Sequence, residues 1–333
     1  METSRAAGIL FILSILFILS KPFLRALAQT SRVRHFRTST TLRDPVMRLH
    51  ARLAIAALAA AALACRAPAH TTPAPADAPS TPTPPESRGF MSRSVTVDGA
   101  TYRYRVFVPE KRTTRLPVVL FLHGSGERGA DGMLQTFVGL GPHVKARDGG
   151  FPAIVVFPQV PNDSTWSGAP GRAAIAALEA SIVEFEGDRQ RVYLTGVSMG
   201  GYGTWDLALH NPGRFAAIAP VCGGVHPLRG GPILVAGVPA DSLAVAPWVA
   251  SQLARTPTWI FHGSNDGSVP VDYSREMYAA MRSAGAPVHY TEYPGVGHNS
   301  WESAYAEPML WRWLFAQRLE RAASTGTVIG PAR

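Results

Sequence analysis

Residues 192–201 read VYLTGVSMGG and continue as YGTWDLALH to residue 210. The opening VYLT is β-branched, aromatic and aliphatic, as in a short strand buried on both faces, and the run from Gly201 to His210 has the apolar spacing of a helix. Between them, Gly196-Val-Ser198-Met-Gly200 puts a serine on a strand-to-helix turn with a glycine two residues to either side. A turn this sharp leaves no room for a Cβ at 196 or 200, which would strike the sheet or the helix, and it lifts the Ser198 hydroxyl above the sheet edge. The start of the helix offers unpaired N–H groups, that of Met199 among them, at which an oxyanion can be held. A serine so placed needs a base, and the base needs an acid to orient it.

Working outward, Leu116–Leu122, Ala153–Phe157, Ala216–Val221, Thr258–Phe261 and Val288–Tyr293 read as further short strands buried on both faces. Ala173–Glu186, Val271–Ala284 and Pro308–Glu320 have helical spacing. Arg93–Val97 and Thr101–Val108 alternate around Asp98-Gly99 and predict a hairpin. The expected fold is therefore α/β: a mostly parallel sheet with helices on both faces and an N-terminal antiparallel hairpin. Residues 223–256 fit this rhythm least and are expected to run as an excursion over one edge of the sheet.

The base and acid should follow the serine in the order Ser, acid, His, each in the loop after a later strand. Thr258–Phe261 runs into HGSNDGSVP, with Asp266 in mid-loop, and Val288–Tyr293 runs into PGVGHNSW, with His298 on a glycine-rich loop. Asp272 is the other candidate acid, but it falls near a helix start, where a capping or dipole role is the default. Asp206, inside the helix after the turn, faces away from a triad. His123, His143, His210, His226, His262 and His289 read as structural: a strand-end or loop hydrogen bond, a helix C-terminal cation or a surface face. After Leu116–Leu122, the loop HGSGERG is the expected source of a second oxyanion donor, the N–H of Ser125 or of Gly126. Glu127 and Arg128 next to it could pair and stiffen the loop. Trp166 and Trp301, on loops near strand ends, are candidates for lining a substrate pocket, against core packing as the usual role of tryptophan. Cys222 reads as a small buried hydrophobe.

Composition bears on partners and compartment. The 333 residues carry a formal net charge of +9, yet residues 1–52 hold nine Arg/Lys against Glu2 and Asp44, and from residue 53 on 23 basic residues meet 21 acidic ones. A basic leader rather than a basic domain follows, and no nucleic-acid partner is expected. Residues 6–20 form a 15-residue apolar run, shorter than the ~20 a spanning helix needs. A better-formed export signal begins at Met47: a basic start, an apolar stretch Leu53–Leu63, and small residues before Cys65. Cleavage before Cys65 leads either to a lipidated Cys65 and membrane attachment or to plain secretion. The expected organisation is a leader over 1–64, a Pro/Ala/Thr-rich tether over 65–89 with seven prolines, a catalytic domain over 90–322 and a flexible tail over 323–333. The protein is expected to be exported, as a periplasmic or cell-envelope lipoprotein or as a secreted protein. Two cysteines make no disulfide framework, and no His/Cys/Asp group has metal-ligand spacing, so neither metal nor cofactor is expected.

Taken together, LHGSGERG, GVSMGGYGTWDLA, FHGSNDGSVP and EYPGVGHNSW, in that order, resemble the α/β-hydrolase superfamily over about residues 90–320. They are most similar to its bacterial predicted-peptidase and carboxylesterase branch, near enzymes of the polyhydroxybutyrate-depolymerase, feruloyl-esterase and dienelactone-hydrolase types. The resemblance implies an α/β-hydrolase fold, Ser198 as nucleophile, Asp266 as acid, His298 as base and a small-molecule or polymer-linked ester as substrate. Residues 229–256 depart from that branch. A prolyl-oligopeptidase-type peptidase shares the triad order, but such enzymes carry an extra gating domain for which some 230 residues leave no room. A surface lipoprotein using the fold only to bind is the third reading, and it would be favoured by loss of a triad member.

Overall fold

The computed structural model describes residues 89–110, 115–147, 150–227, 234–239 and 241–319. The export leader, Cys65 with most of its tether, the C-terminal tail and residues 228–233 and 240 of the irregular stretch lie outside the described residues. Among the described residues no helix is long and apolar enough to cross a membrane.

The hairpin is β1 (Gly89–Val97) and β2 (Ala100–Val108), paired antiparallel in unbroken register from Gly89 opposite Val108 to Val97 opposite Ala100. Asp98 and Gly99 both take positive φ, 51° and 78°, the geometry of the two-residue turn that their sequence predicts. Six further strands follow: β3 (Val118–Leu122), β4 (Ile154–Pro158), β5 (Val192–Val197), β6 (Ala217–Val221), β7 (Thr258–Gly263) and β8 (Val288–Tyr293). They form one eight-stranded sheet in the order β1-β2-β4-β3-β5-β6-β7-β8, in which β2 meets β4 antiparallel and every later pair is parallel.

Strand side chains alternate between two cores. Val118, Leu120 and Leu122 join Ile154, Val156, Val192 and Leu194 in one layer, while Val119 and Phe121 join Val155, Phe157 and Tyr193 in the other. Both faces are thus apolar and both need helices. The first is covered by α2 (Ala169–Glu184), α3 (Met199–His210), α4 (Ser242–Gln252) and α5 (Val271–Ser283), the second by α1 (Leu140–Lys145), α6 (Trp301–Ala306) and α7 (Pro308–Ala316).

Four departures from the sequence reading have local causes. α2 begins at Ala169 rather than Ala173, because Pro170 in its first turn has its φ preset for a helix. α7 stops at Ala316 rather than Glu320: Gln317 turns extended, its carbonyl accepts the Tyr193 hydroxyl at 2.9 Å, and the Leu319 N–H reaches Gln190 O at 2.9 Å. Val288–Tyr293 is not buried on both faces; β8 is the outer strand and half-exposed, carrying Glu292 in an ion pair with Arg275, as a guarded sheet edge does. The fourth concerns residues 223–256, which are not simply an excursion. Their second half is α4, which packs against α5 and makes the crossover that two parallel strands, β6 and β7, require. Pro247 inside the helix hides it from a propensity reading, while Asp241 caps it by accepting the Leu243 N–H at 3.0 Å.

Candidate active site

Ser198 sits between β5 and α3 at φ 55° and ψ −119°, a region that costs a non-glycine residue about 1–3 kcal/mol. The surroundings hold it there. Its N–H donates to Val221 O at 3.0 Å, and its carbonyl accepts from Gly201 N–H at 2.8 Å and Tyr202 N–H at 3.2 Å. A Cβ on Gly196 would fall on the Gly200 carbonyl and one on Gly200 on the Leu122 carbonyl, so the two glycines let α3 start directly on top of β3 and β5.

The loops after β7 and β8 are stitched to each other before either reaches Ser198. Ser264 N–H donates to Tyr293 O at 3.0 Å, Asn265 N–H to Val296 O at 2.9 Å, and Gly295 N–H to Ser264 Oγ at 2.8 Å. Gly263 permits the crossing, since a Cβ there would land on the Val296 carbonyl. As a result Asp266 Oδ2 lies 2.7 Å from His298 Nδ1, and His298 Nε2 lies 2.9 Å from Ser198 Oγ. A carboxylate only accepts, so Nδ1 carries the proton and Nε2 is free to accept from the serine hydroxyl. The Asp266 side chain is fully buried, and burial alone would raise its pKa. Hydrogen bonds from His262, His298 and the N–H groups of Val269 and Ser268 outweigh that and hold it well below the usual carboxylate range.

The loop after β3 is built from beneath. His123 is wholly buried; its Nδ1 lies 2.6 Å from Gly124 O and its Nε2 accepts the Val160 N–H at 3.0 Å. One acceptor and one donor fix a neutral tautomer, and burial lowers its pKa from 6.5 to about 4. An unfolded chain takes up a proton below 6.5 that the folded one refuses until about 4, so the stability due to this site is complete above 6.5 and drains as pH falls. At one pKa unit per ~1.4 kcal/mol, urea melts of His123→Gln should lose on the order of 3 kcal/mol less than wild type across that window, the remaining loss including that of His143, whose pKa burial also lowers to about 4.

Trp166 is not at a pocket mouth. It is 1% exposed, its indole N–H donates to His123 O at 3.0 Å, and its ring meets the His123 ring edge-on at 4.9 Å. It is a pillar under the loop. Nor do Glu127 and Arg128 pair with each other: the Glu127 carboxylate accepts the Gly124 N–H, while Arg128 donates to Ser164 O at 2.6 Å and to Met199 Sδ at 2.9 Å. Ser125 and Gly126 are exposed at the tip, but Gly124 lies against the nucleophile, where a Cβ would sit 3.6 Å from Ser198 Cβ, while Gly126 has nothing within 4 Å. Trp301 does stand beside the site, its ring edge-on to His298 at 5.5 Å.

The remaining acids and histidines fall elsewhere. Asp272 is exposed and paired with Arg275 at 2.8 Å, while Asp206 accepts the Ala236 N–H at 2.7 Å. His226 meets Glu276, His289 packs on Trp259 and Trp313, His143 stacks on Trp311, and His210 binds Asp206 O. Cys222, fully buried, comes together with Asp266 and His298, their potential ligand atoms lying within 4.8 Å of one another, a trio that sequence spacing does not reveal. Burial pushes its thiol up to about 12, and Nδ1 of His298 is held by Asp266.

One feature has no sequence signal. Residues 131–137 form a loop turned inside out: Gln135 and Thr136 are buried at 0% and 4% exposure, while Met133, Leu134 and Phe137 are 46%, 45% and 56% exposed. Asp131 holds the turn by accepting the N–H groups of Met133 and Leu134, and Gln159 by accepting that of Gly132. The loop ends at Gly139, whose Cβ position lies 3.3 Å from Val197 beside the nucleophile.

Residues 164–307 match the Dienelactone hydrolase family. An "Uncharacterized secreted protein" of Arthroderma benhamiae is 28% identical over 204 residues, which are 56% of this chain and 22% of that protein. A poly(3-hydroxyoctanoate) depolymerase of Pseudomonas fluorescens is 29% identical over 179 residues, 47% of this chain and 57% of its own. The chain therefore spans between about a fifth and three fifths of the length of these curated relatives. Among solved structures, a thermostable esterase superposes with a TM-score of 0.58 at 31% identity, covering 69% of this chain and 63% of its own. The strand order and these likenesses make the fold that of the α/β-hydrolases.

Proposed function

We propose that this chain, an α/β-hydrolase by fold and matched over residues 164–307 by the Dienelactone hydrolase family, is a serine hydrolase that cleaves carboxylic esters through an acyl-enzyme. The observation that carries the reading is the unbroken hydrogen-bonded line from Ser198 through His298 to Asp266, at 2.9 and 2.7 Å, on a strained turn. Ser198 Oγ attacks the ester carbonyl carbon as its proton passes to His298 Nε2. The carbonyl oxygen becomes an oxyanion held by the N–H of Met199, which opens α3, and by that of Ser125. Ser125 is preferred to Gly126 because its peptide joins Gly124, the part of the loop against Ser198. The bond to the alcohol oxygen then breaks, that oxygen takes the proton from Nε2, and the acyl group stays on Ser198. Water repeats the cycle: it gives a proton to Nε2, attacks the acyl carbon, and Ser198 leaves and recovers the proton. Asp266 stays ionised throughout, orienting the imidazole and stabilising it when charged.

An ester rather than a peptide bond is supported by relatives named as an esterase and a polyester depolymerase. An export leader ahead of the domain agrees with a relative named as secreted, and we place the protein outside the cytoplasm, tethered through a lipidated Cys65 or released. The test is a panel of p-nitrophenyl acetate, butyrate and octanoate against peptide p-nitroanilides, with fluorophosphonate labelling alongside. Esters should be turned over with a kcat/KM at least about a hundredfold above the anilides, a discrimination of ~2.7 kcal/mol, and the probe should label the folded protein. Folded protein that neither labels nor turns over any ester would overturn the reading.

A further inference from the structure

Asp266 Oδ2 receives two imidazoles, and the serine-hydrolase mechanism accounts for only one of them. His262 is the penultimate residue of β7, four residues before the acid, and is 0% exposed. Its Nε2 is 3.1 Å from Asp266 Oδ2 and 3.1 Å from Val269 O. Both are acceptors, so Nε2 carries a proton. Its Nδ1 lies 2.7 Å from the hydroxyl of Ser274 on α5, whose other neighbour, Gly223 O, is 3.4 Å away. The shorter contact assigns the hydroxyl proton to Nδ1 and leaves a neutral ring with Nε2–H aimed at the acid.

We propose that His262, locked by Ser274, is a positioning residue for the acid of this same site; the proposal rests on the serine-hydrolase reading. Oδ1 of Asp266 is already tied to the N–H groups of Ser268 at 2.8 Å and Val269 at 3.0 Å. Those two bonds leave the carboxylate able to rock about Oδ1, and His262 supplies the contact that fixes Oδ2 in line with His298 Nδ1. The second consequence is electronic. A hydrogen bond from His262 makes Oδ2 less basic, so the proton on Nδ1 stays with His298 when that ring becomes an imidazolium during the attack of Ser198. Both effects act on the transition state through Asp266 and leave substrate binding untouched. They set His262 apart from the described histidines other than His298, whose partners lie outside the triad.

The experiment compares wild type, His262→Ala, His262→Gln and Ser274→Ala for kcat and KM on p-nitrophenyl butyrate, with thermal unfolding measured on each. His262→Ala should lower kcat about 10- to 100-fold with KM within about twofold, the size expected when a catalytic group is misaligned. Ser274→Ala should lower kcat in the same direction by less. His262→Gln, whose side-chain amide can donate from the Nε2 position, should recover most of the loss. A folded His262→Ala with kcat within twofold of wild type would overturn the inference, as would equal losses in the alanine and glutamine variants. Should His262→Ala fail to fold, Ser274→Ala and His262→Gln decide: kcat of Ser274→Ala unchanged, or His262→Gln folded but more than about tenfold down in kcat, counts against it. Wild type that neither turns over ester nor reacts with a fluorophosphonate would instead sink the serine-hydrolase reading beneath it.

Discussion

Ser198→Ala should lower kcat on p-nitrophenyl butyrate about a millionfold, the cost on record when a triad nucleophile is removed. The substitution is clean. Alanine inherits the strained φ of 55° that serine already bears, the neighbouring glycines still accommodate the turn, and the N–H bond to Val221 O does not involve the side chain. The melting temperature should therefore move little, and the lost rate reports chemistry rather than folding. What remains is the background due to substrate binding and the oxyanion donors alone. The other nucleophilic atom near the triad is the Cys222 thiol, which burial keeps neutral by pushing its pKa up to about 12. A fall in kcat smaller than about a hundredfold would mean that some group other than Ser198 carries the reaction. Loss of fluorophosphonate labelling in the same variant provides a second readout independent of turnover.

Asp266→Asn should cost about ten-thousandfold in kcat, and the local hydrogen bonds say why. Ser268 and Val269 N–H groups point at Oδ1, so the amide oxygen of asparagine must take that position. Its NH2 then occupies the place of Oδ2, facing Nδ1 of His298 and Nε2 of His262, two atoms that now donate. Donor meets donor, and His298 escapes by moving its proton to Nε2. That is the nitrogen from which Ser198 needs an acceptor at 2.9 Å, so the geometry survives while the base is lost. The variant should also alter acid stability. The carboxyl of Asp266 is held below its ordinary value of 3.8, so its stabilisation is complete above that value and is lost as pH falls through it toward the folded value. Urea melts should accordingly show the gap between wild type and Asp266→Asn narrowing from pH 7 to pH 3. A gap independent of pH would mean that the folded carboxyl titrates at its ordinary value, and a gap that widens toward pH 3 that it is not ionised at neutrality.

The reading of single loops from sequence succeeded where a residue type answers a local backbone demand. Asp98-Gly99 predicts the hairpin turn because both residues tolerate positive φ, and glycines at 196 and 200 predict the strand-to-helix turn because no Cβ fits there. The loops with Asp266 and His298 were legible because each follows a short apolar run at the end of which this chain order expects it. Reading failed where the partner of a residue comes from a remote segment. Trp166 reads from its loop position as a pocket candidate, yet it lies under His123, 43 residues before it. Arg128 has Glu127 as its neighbour in sequence but reaches Ser164 and Met199. α4 has no clear helical signature because Pro247 and the glycines before it mask a helix whose support is the α5 surface.

Alternation and punctuation along the chain, by themselves, determine that this protein has a mostly parallel sheet covered on both faces, a hairpin at its start and a serine on a sharp turn at its centre. These are properties of neighbouring residues, set by side-chain size and backbone freedom, and a sequence displays neighbours directly. Tertiary structure alone decides that Ser198, Asp266 and His298 stand in one hydrogen-bonded line, that His262 and Ser274 stand behind it, and that the loop at 131–137 turns its apolar side chains outward. Those are relations between segments as much as 100 residues apart, and they exist because strand pairing brings the carboxyl ends of β5, β6, β7 and β8 to one edge of the sheet.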